Sequence, residues 1–249
     1  MATADVTLFA YALVALVAFL AAIVGGVAGY GTGLLLPPVL VPIIGPEAIV
    51  PVIAVSALMT NLSRLTAFRA SFDAPRAFLI TLSALPSCLL GAYLYTRLSG
   101  GHVAILIGAV LILLIPVRRV LMRLHGYLPN AGVAAAGAAY GMLVGGTTGS
   151  GVVLLSILLA AGLQGPAVIA TDAGISLVLG IAKTIIFQTA GALPFSSWIM
   201  AVVIGVAALP GAFIAKSLVH HLTLKAHTAI LDAVVILGGA LLIGQGLAT

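Results

Sequence analysis

Long apolar runs separated by short polar breaks dominate the 249-residue sequence. A helix needs about 20 apolar residues to cross a bilayer, and open strands cannot cross because lipid offers their backbone groups no partners. The pattern therefore predicts an all-α polytopic membrane protein. Two of the predicted segments, 33–45 and 151–162, are unusually short. The apolar runs lie at about 6–27, 33–45, 47–68, 75–97, 102–121, 130–146, 151–162, 165–190, 195–219 and 226–247.

Each short segment follows a glycine-rich break, and the two breaks resemble copies of one sequence. The first break is Gly29–Gly33 and the second is Thr147–Gly151, with matching glycines 118 residues apart. The spacing between matched positions drifts slowly along the chain, as expected of a duplication followed by small insertions. We therefore predict two homologous halves, residues 1–126 and 127–249. Further matched pairs are Gly45-Pro46 with Gly165-Pro166, Ser56 with Ser176, and Leu85-Pro86 with Leu209-Pro210.

Composition supports a membrane location for the whole chain. Hydrophobic residues make up 63% of the sequence and charged residues only 6%, whereas soluble domains carry about 25% charged residues. The net charge of +5 comes from short basic clusters between apolar runs, which is typical of cytoplasmic loops and not of a nucleic-acid surface. A single cysteine, Cys88, excludes an intrachain disulfide.

The basic clusters discriminate between two topologies. If the short segments do not cross the membrane, the chain has eight spans and the 216–225 cluster lies opposite the loop that contains Arg69 and Arg76. If they do cross, the chain has ten spans and both clusters share one side with the basic residues of 118–123. The positive-inside rule favours ten spans, with basic loops in the cytoplasm and both termini outside. Five spans per half would invert the halves relative to each other, as in many secondary transporters of the inner membrane.

The glycine breaks are the strongest candidates for a binding site. A broken membrane helix leaves amide groups that must be buried in protein or line a polar cavity, and a helix N-terminus attracts anions. Two such ends meeting near the midplane would form an anion site. The alternative is that these small residues only permit close helix packing. The predicted substrate-binding residues are Gly31, Thr32, Gly33, Thr147, Thr148, Gly149, Ser150, Gly151 and Lys183.

Ionisable residues inside apolar runs supply the remaining candidates, because a charge in lipid is costly. Lys183 can attract an anion, and Asp172 can carry a coupling proton or sodium ion. The two residues are eleven positions apart on roughly one helical face, about 16 Å along the axis. Arg64 with Asn61 is a gate or ligand candidate, and Gln188 is a polar lining candidate. Structural ion pairs and snorkelling side chains are the alternatives for these residues.

Two other functional classes remain open from the residues alone. An anion channel would need a continuous polar path, and an intramembrane hydrolase would use Ser150 with His220 or His221. No phosphate loop of the GxxxxGK(S/T) type occurs, and no Cys, His and acidic cluster has metal-ligand spacing. We therefore expect neither a cofactor nor a metal.

The breaks together with the residues that follow them resemble a known family. Leu34-Leu35-Leu36-Pro37-Pro38 and Val152-Val153-Leu154-Leu155-Ser156 each precede a Gly-Pro turn, a pattern similar to that of TauE/SafE sulfite exporters. The resemblance extends from Gly25 to about Leu242, although Val50-Pro51 departs from the Ala-Thr pattern that Ala170-Thr171 keeps. It implies a permease for sulfite, thiosulfate or an organosulfonate, driven by an ion gradient. A homodimer is compatible with the sequence.

Overall fold

The computed structural model describes residues 7–26, 31–123 and 128–218, together with isolated residues between 236 and 247. The three continuous ranges are helical and contain no strand, which confirms the all-α prediction. A 3-10 turn at Arg69–Ser71 follows the fourth helix. The helices are α1 (Leu8–Gly26), α2 (Gly31–Leu35), α3 (Pro37–Ile44), α4 (Ile49–Phe68), α5 (Ala74–Tyr95), α6 (Gly101–Arg123), α7 (Asn130–Gly146), α8 (Gly151–Ala160), α9 (Pro166–Thr189) and α10 (Phe195–Leu218).

The helices agree with the predicted segments, with one difference in the first short segment. This segment contains two helices, because α2 ends at Leu35 and α3 begins at Pro37. Proline lacks the backbone N–H that would continue the helix and is well suited to the first helical turn. The predicted segment 226–247 lies largely outside the described residues.

Three helical stretches are long and apolar enough to cross a membrane, when only the described residues are considered. These stretches are Ile49–Ser71, Ala74–Tyr95 and Pro166–Thr189. Shorter apolar helices include Leu8–Ile23, Gly101–Val117, Gly151–Ala160 and Phe195–Gly211. Large hydrophobic side chains such as Phe9, Phe78 and Ile185 are exposed on the outer surface, where lipid can cover them.

Helices from the first part of the chain pack mainly against helices from the second part. In the alignment of the halves, α1 corresponds to α7, α4 to α9, and α5 to α10. The α5–α7 contact has the counterpart α10–α1, and the α5–α9 contact has the counterpart α10–α4. The equivalent helices α4 and α9 pack against each other. Exchanging the two sets of helices thus reproduces the main contacts between them.

Small residues allow α5 and α7 to approach closely. Gly137, Gly141 and Gly145 recur every fourth residue along α7 and face α5. A Cβ added to Gly141 would collide with the Ala84 carbonyl oxygen, and one added to Gly145 would collide with that of Cys88. Such four-residue spacing of small residues is how membrane helices bring their backbones together.

The turns matched in the sequence also share a backbone conformation. Gly45 has a φ of 77° and Gly165 a φ of 54°, a region that glycine enters at little steric cost. Helices α4 and α9 begin shortly after these turns. The matched prolines Pro86 and Pro210 both lie inside their helices, α5 and α10.

Candidate functional site

The two glycine breaks touch each other in the folded chain. The Thr148 hydroxyl donates a hydrogen bond of 2.9 Å to the Gly33 carbonyl oxygen. A Cβ placed on Gly33 would lie 2.9 Å from the Gly149 nitrogen and 3.2 Å from the Gly149 Cα. Only a residue without a side chain lets the backbones approach this closely. Gly33 of the first break is therefore a neighbour of Thr148 and Gly149 of the second, although more than one hundred residues separate them. Gly29 and Tyr30 of the first break lie outside the described residues.

The second break turns the chain between the end of α7 and the start of α8. Residues 147–150 are not helical, and Gly149 has a φ of 77°. The Thr147 hydroxyl donates to the Leu143 carbonyl oxygen at 2.6 Å, which satisfies one of the acceptors at the end of α7. Ser150 precedes α8 but makes no capping bond with its side chain. The Val153 amide of this ten-residue helix donates to the Ser150 carbonyl oxygen at 2.9 Å, whereas the Gly151 and Val152 amides before it have no backbone acceptor among the described residues. The N-terminal end of the helix carries its partial positive charge.

A cavity of about 120 Å³ lies where the breaks meet. Residues from α2, α4, α7, α8 and α9 line it, so both parts of the chain contribute. It brings together all the predicted site residues except Gly31 and Gln188. The predicted residues in its wall are Thr32, Gly33, Asn61, Arg64, Thr147, Thr148, Gly149, Ser150, Gly151, Asp172 and Lys183.

Lys183 lies buried beside the end of α7. Its side-chain nitrogen donates to the Val144 carbonyl oxygen at 3.0 Å, and the residue is 8% exposed. An ammonium group has three N–H donors, and one of them is satisfied by this bond. Because Lys183 also lines the cavity, its remaining donors are available to an anion there.

Arg64 and Asp172 form an ion pair in the wall of the same cavity. The Arg64 Nη2 atom lies 2.7 Å from Asp172 Oδ2, and the side chains are 17% and 3% exposed. Arg64 Nη1 also donates to Asn61 Oδ1 at 3.2 Å. The pair joins α4 to α9, the two equivalent helices. Two cations and one carboxylate give the cavity a net charge of +1.

The sequence profile of the sulfite exporter TauE/SafE family matches residues 14–242, nearly the whole chain. The chain belongs to this family. The resemblance seen in the glycine breaks is thereby confirmed, and TauE/SafE membership implies a membrane permease for sulfur-containing anions. No curated protein and no solved structure matches the chain.

In this TauE/SafE chain, Gln188 lies outside the cavity, whereas the sequence suggested it as a polar residue lining the site. It is exposed near the end of α9, and its Oε1 atom accepts a hydrogen bond of 2.8 Å from Trp198 Nε1. Five residues separate it from Lys183, which turns the side chain about 140° away around the helix. We therefore do not retain Gln188 among the lining residues.

Three polar lining residues were missed in the sequence, namely Thr60 of α4, Tyr140 of α7 and Ser176 of α9. Tyr140 is buried in α7 with its hydroxyl close to those of Ser150 and Ser176. A signal for Ser176 was present, because Asp172, Ser176, Gly180 and Lys183 follow each other at intervals of three or four residues and so form one stripe of α9. Tyr140 gave a weaker signal, as the only aromatic residue among the glycines and alanines of 131–141.

Proposed function

We propose that the chain is a secondary transporter that moves a small sulfur-containing anion across the cell membrane by alternating access. Sulfite, thiosulfate and organosulfonates form the substrate class that family membership supports. The observation that carries the proposal is the contact between the two glycine breaks at one cavity, whose wall also contains Arg64, Lys183 and Asp172.

The anion is proposed to bind between the start of α8 and Lys183. The amides of Gly151 and Val152 at the start of α8 would donate to the anion's oxygen atoms, with the hydroxyls of Thr32, Thr148 and Ser150 beside them. Lys183 would supply a full positive charge from the opposite side of the second break. Buried backbone donors and a lysine can replace the water that a sulfur oxyanion loses on entry.

The two halves are proposed to be inverted relative to each other, which would let them rock about the central cavity. The helix contacts support a two-fold relation between the halves, because exchanging matched helices reproduces the α5–α7 and α5–α9 packing as α10–α1 and α10–α4. Inversion is supported by the distribution of basic residues, which the ten-span topology places on one side. Cysteine labelling tests this arrangement. Reporter cysteines at residues 72 and 223 should react from the same side of the inner membrane, the cytoplasm, and reaction from opposite sides would exclude the ten-span inverted topology.

Transport itself is tested with the full-length protein in proteoliposomes. We expect labelled sulfite or thiosulfate to accumulate against its gradient when a proton or sodium gradient is imposed. Empty vesicles and vesicles with a collapsed gradient are the controls. Flux that only runs down the anion gradient at channel rates would favour an anion channel, and no flux of either anion would contradict the proposal.

Ser150→Ala separates the transporter from an intramembrane hydrolase. The Ser150 side chain would be one of several groups near the anion, so its loss should lower transport only severalfold. A serine nucleophile would be indispensable to a hydrolase. Complete loss of activity in a correctly folded Ser150→Ala protein, measured beside Ser156→Ala as a control outside the cavity wall, would contradict the transporter.

A further inference from the structure

The Arg64–Asp172 ion pair lies in the wall of the proposed anion cavity. Both residues line the cavity that contains the glycine breaks and Lys183. Arg64 extends from α4 and contacts Asp172 Oδ2 at 2.7 Å on α9. A guanidinium group in such a position can bind either the carboxylate or an oxyanion in the cavity, because both present oxygen atoms in a similar arrangement.

Asp172 is only half satisfied by this pairing. Its Oδ1 atom is buried and has no hydrogen-bond partner in the described part of the chain. The whole residue is 2% exposed. If Arg64 moved away, a buried carboxylate would lose its nearby cation and could no longer be stable in the charged form.

We propose that the transported anion displaces Asp172 from Arg64, and that Asp172 then takes up one proton from solution. The proton binds a carboxylate oxygen, the anion takes over the guanidinium, and no covalent bond of the anion changes. One anion and one proton would therefore be bound together and cross together. This inference rests on the proposed transport function and identifies the coupling ion as a proton.

Other charged or titratable groups near α9 are already held in other interactions. Lys183 on α9 bonds to the Val144 carbonyl oxygen, and the Cys88 thiol of α5 points at the Leu179 carbonyl oxygen. Asp73, before α5, accepts from the Arg76 amide and caps that helix. Among the described residues, Tyr140 of α7 also faces Asp172, and Arg69 of the 3-10 turn is exposed.

Linkage between the two ligands makes the inference measurable. The bound anion raises the affinity of Asp172 for a proton by some factor. A bound proton must then raise the affinity for the anion by the same factor. Anion affinity should then fall by about tenfold per pH unit across the pH range in which Asp172 is charged in the free protein but protonated in the anion-bound protein. An anion that bound without moving Arg64 would show no such dependence.

The experiment counts protons taken up when purified full-length protein binds thiosulfate. Thiosulfate is the probe because its own charge does not change near neutral pH, unlike that of sulfite. Binding is measured by calorimetry, and proton uptake by a pH-sensitive dye in weakly buffered detergent solution. Glu47→Gln is the matched control, since Glu47 is exposed, lies outside the cavity wall, and uses only Oε1 to accept from the Gly100 amide.

We expect about one proton per bound anion in the wild type and in Glu47→Gln, and none in Asp172→Asn, which should still bind thiosulfate. Arg64→Gln is a second variant, and it should bind the anion more weakly and also without proton uptake. Binding by the wild type without proton uptake would overturn the proton coupling alone. Unchanged proton uptake in Asp172→Asn would do the same, whereas a wild type that bound neither thiosulfate nor sulfite would overturn the transport function as well.

Discussion

Replacing Gly33 with alanine tests whether contact between the two breaks is needed for transport. The added methyl group would lie 2.9 Å from the Gly149 nitrogen, 3.1 Å from the Thr148 hydroxyl oxygen and 3.2 Å from the Gly149 Cα. Two of these neighbours are backbone atoms, which cannot rotate away as the end of a flexible side chain can. Ordinary contacts begin at 3.4 Å, so the second break must retreat by about 0.5 Å.

The size of the effect follows from this displacement. Overpacking of a tight contact costs about 1–3 kcal/mol. Alanine is the better helix former by up to about 1 kcal/mol, so any loss must come from the contact and not from the helix α2 itself. If the whole cost appears in anion binding, affinity falls by about 5- to 150-fold, since about 1.4 kcal/mol corresponds to a factor of ten.

The assay is uptake of labelled sulfite into proteoliposomes at several concentrations, which separates KM from the maximal rate. Thermal unfolding in detergent reports the part of the cost that appears as lost stability. Gly244→Ala is the control, because a Cβ there meets no atom of the described residues within 4 Å, and this substitution should leave both measurements unchanged. If Gly33→Ala also left KM and the unfolding midpoint unchanged, the two breaks would not be in contact in the transporting protein.

Three further substitutions separate binding from packing. Lys183→Met should lower the apparent affinity for sulfite by about 10- to 150-fold in uptake assays, because hydrogen bonds to a charged group contribute about 1.5–3 kcal/mol. An unchanged KM would show that the anion does not bind at Lys183. Gly141→Val should reduce stability by about 1–3 kcal/mol or more, measured as a lower unfolding midpoint, because the Ala84 carbonyl oxygen occupies the space a side chain needs. Gln188→Ala should change uptake less than twofold, since Gln188 lies outside the cavity, and a large loss would contradict that placement.

The helices and the breaks could be predicted because each is encoded locally. Apolar runs fix the helices, and glycines at 118-residue spacing mark two positions that share a function in the fold. Lys183 and Asp172 also follow from local logic, since a charge in an apolar run needs a polar environment. The periodicity of α9 even places them on one stripe, which the structure shows lining the cavity.

The Arg64–Asp172 pair could not be predicted in the same way. The two residues are 108 positions apart, and their meeting depends on how α4 crosses α9. A single sequence shows which residues share one face of a helix. It does not show how two packed helices are rotated, or shifted along their axes, relative to each other. The position of Gln188 outside this cavity could not be predicted for a related reason, because a polar residue near the end of an apolar run can face either the cavity or the outer surface.

The two glycine breaks give the cavity similar backbone elements, whereas its charged residues have no charged counterpart at the matched positions. At the 120-residue spacing of the matched Gly-Pro turns, each charged cavity residue aligns with an uncharged residue of the other half: Arg64 with Thr184, Asp172 with Val52, and Lys183 with Ser63. Two symmetric sets of these charges would place four cations and two carboxylates around one small cavity, where like charges repel strongly. Divergence of the charged positions avoids this repulsion and leaves one anion position between two similar backbone elements. In the proposed transporter, the two similar backbone elements would let the cavity open to either side of the membrane by nearly equivalent movements. The exchange of Arg64 between Asp172 and the anion would nevertheless occur at one position only.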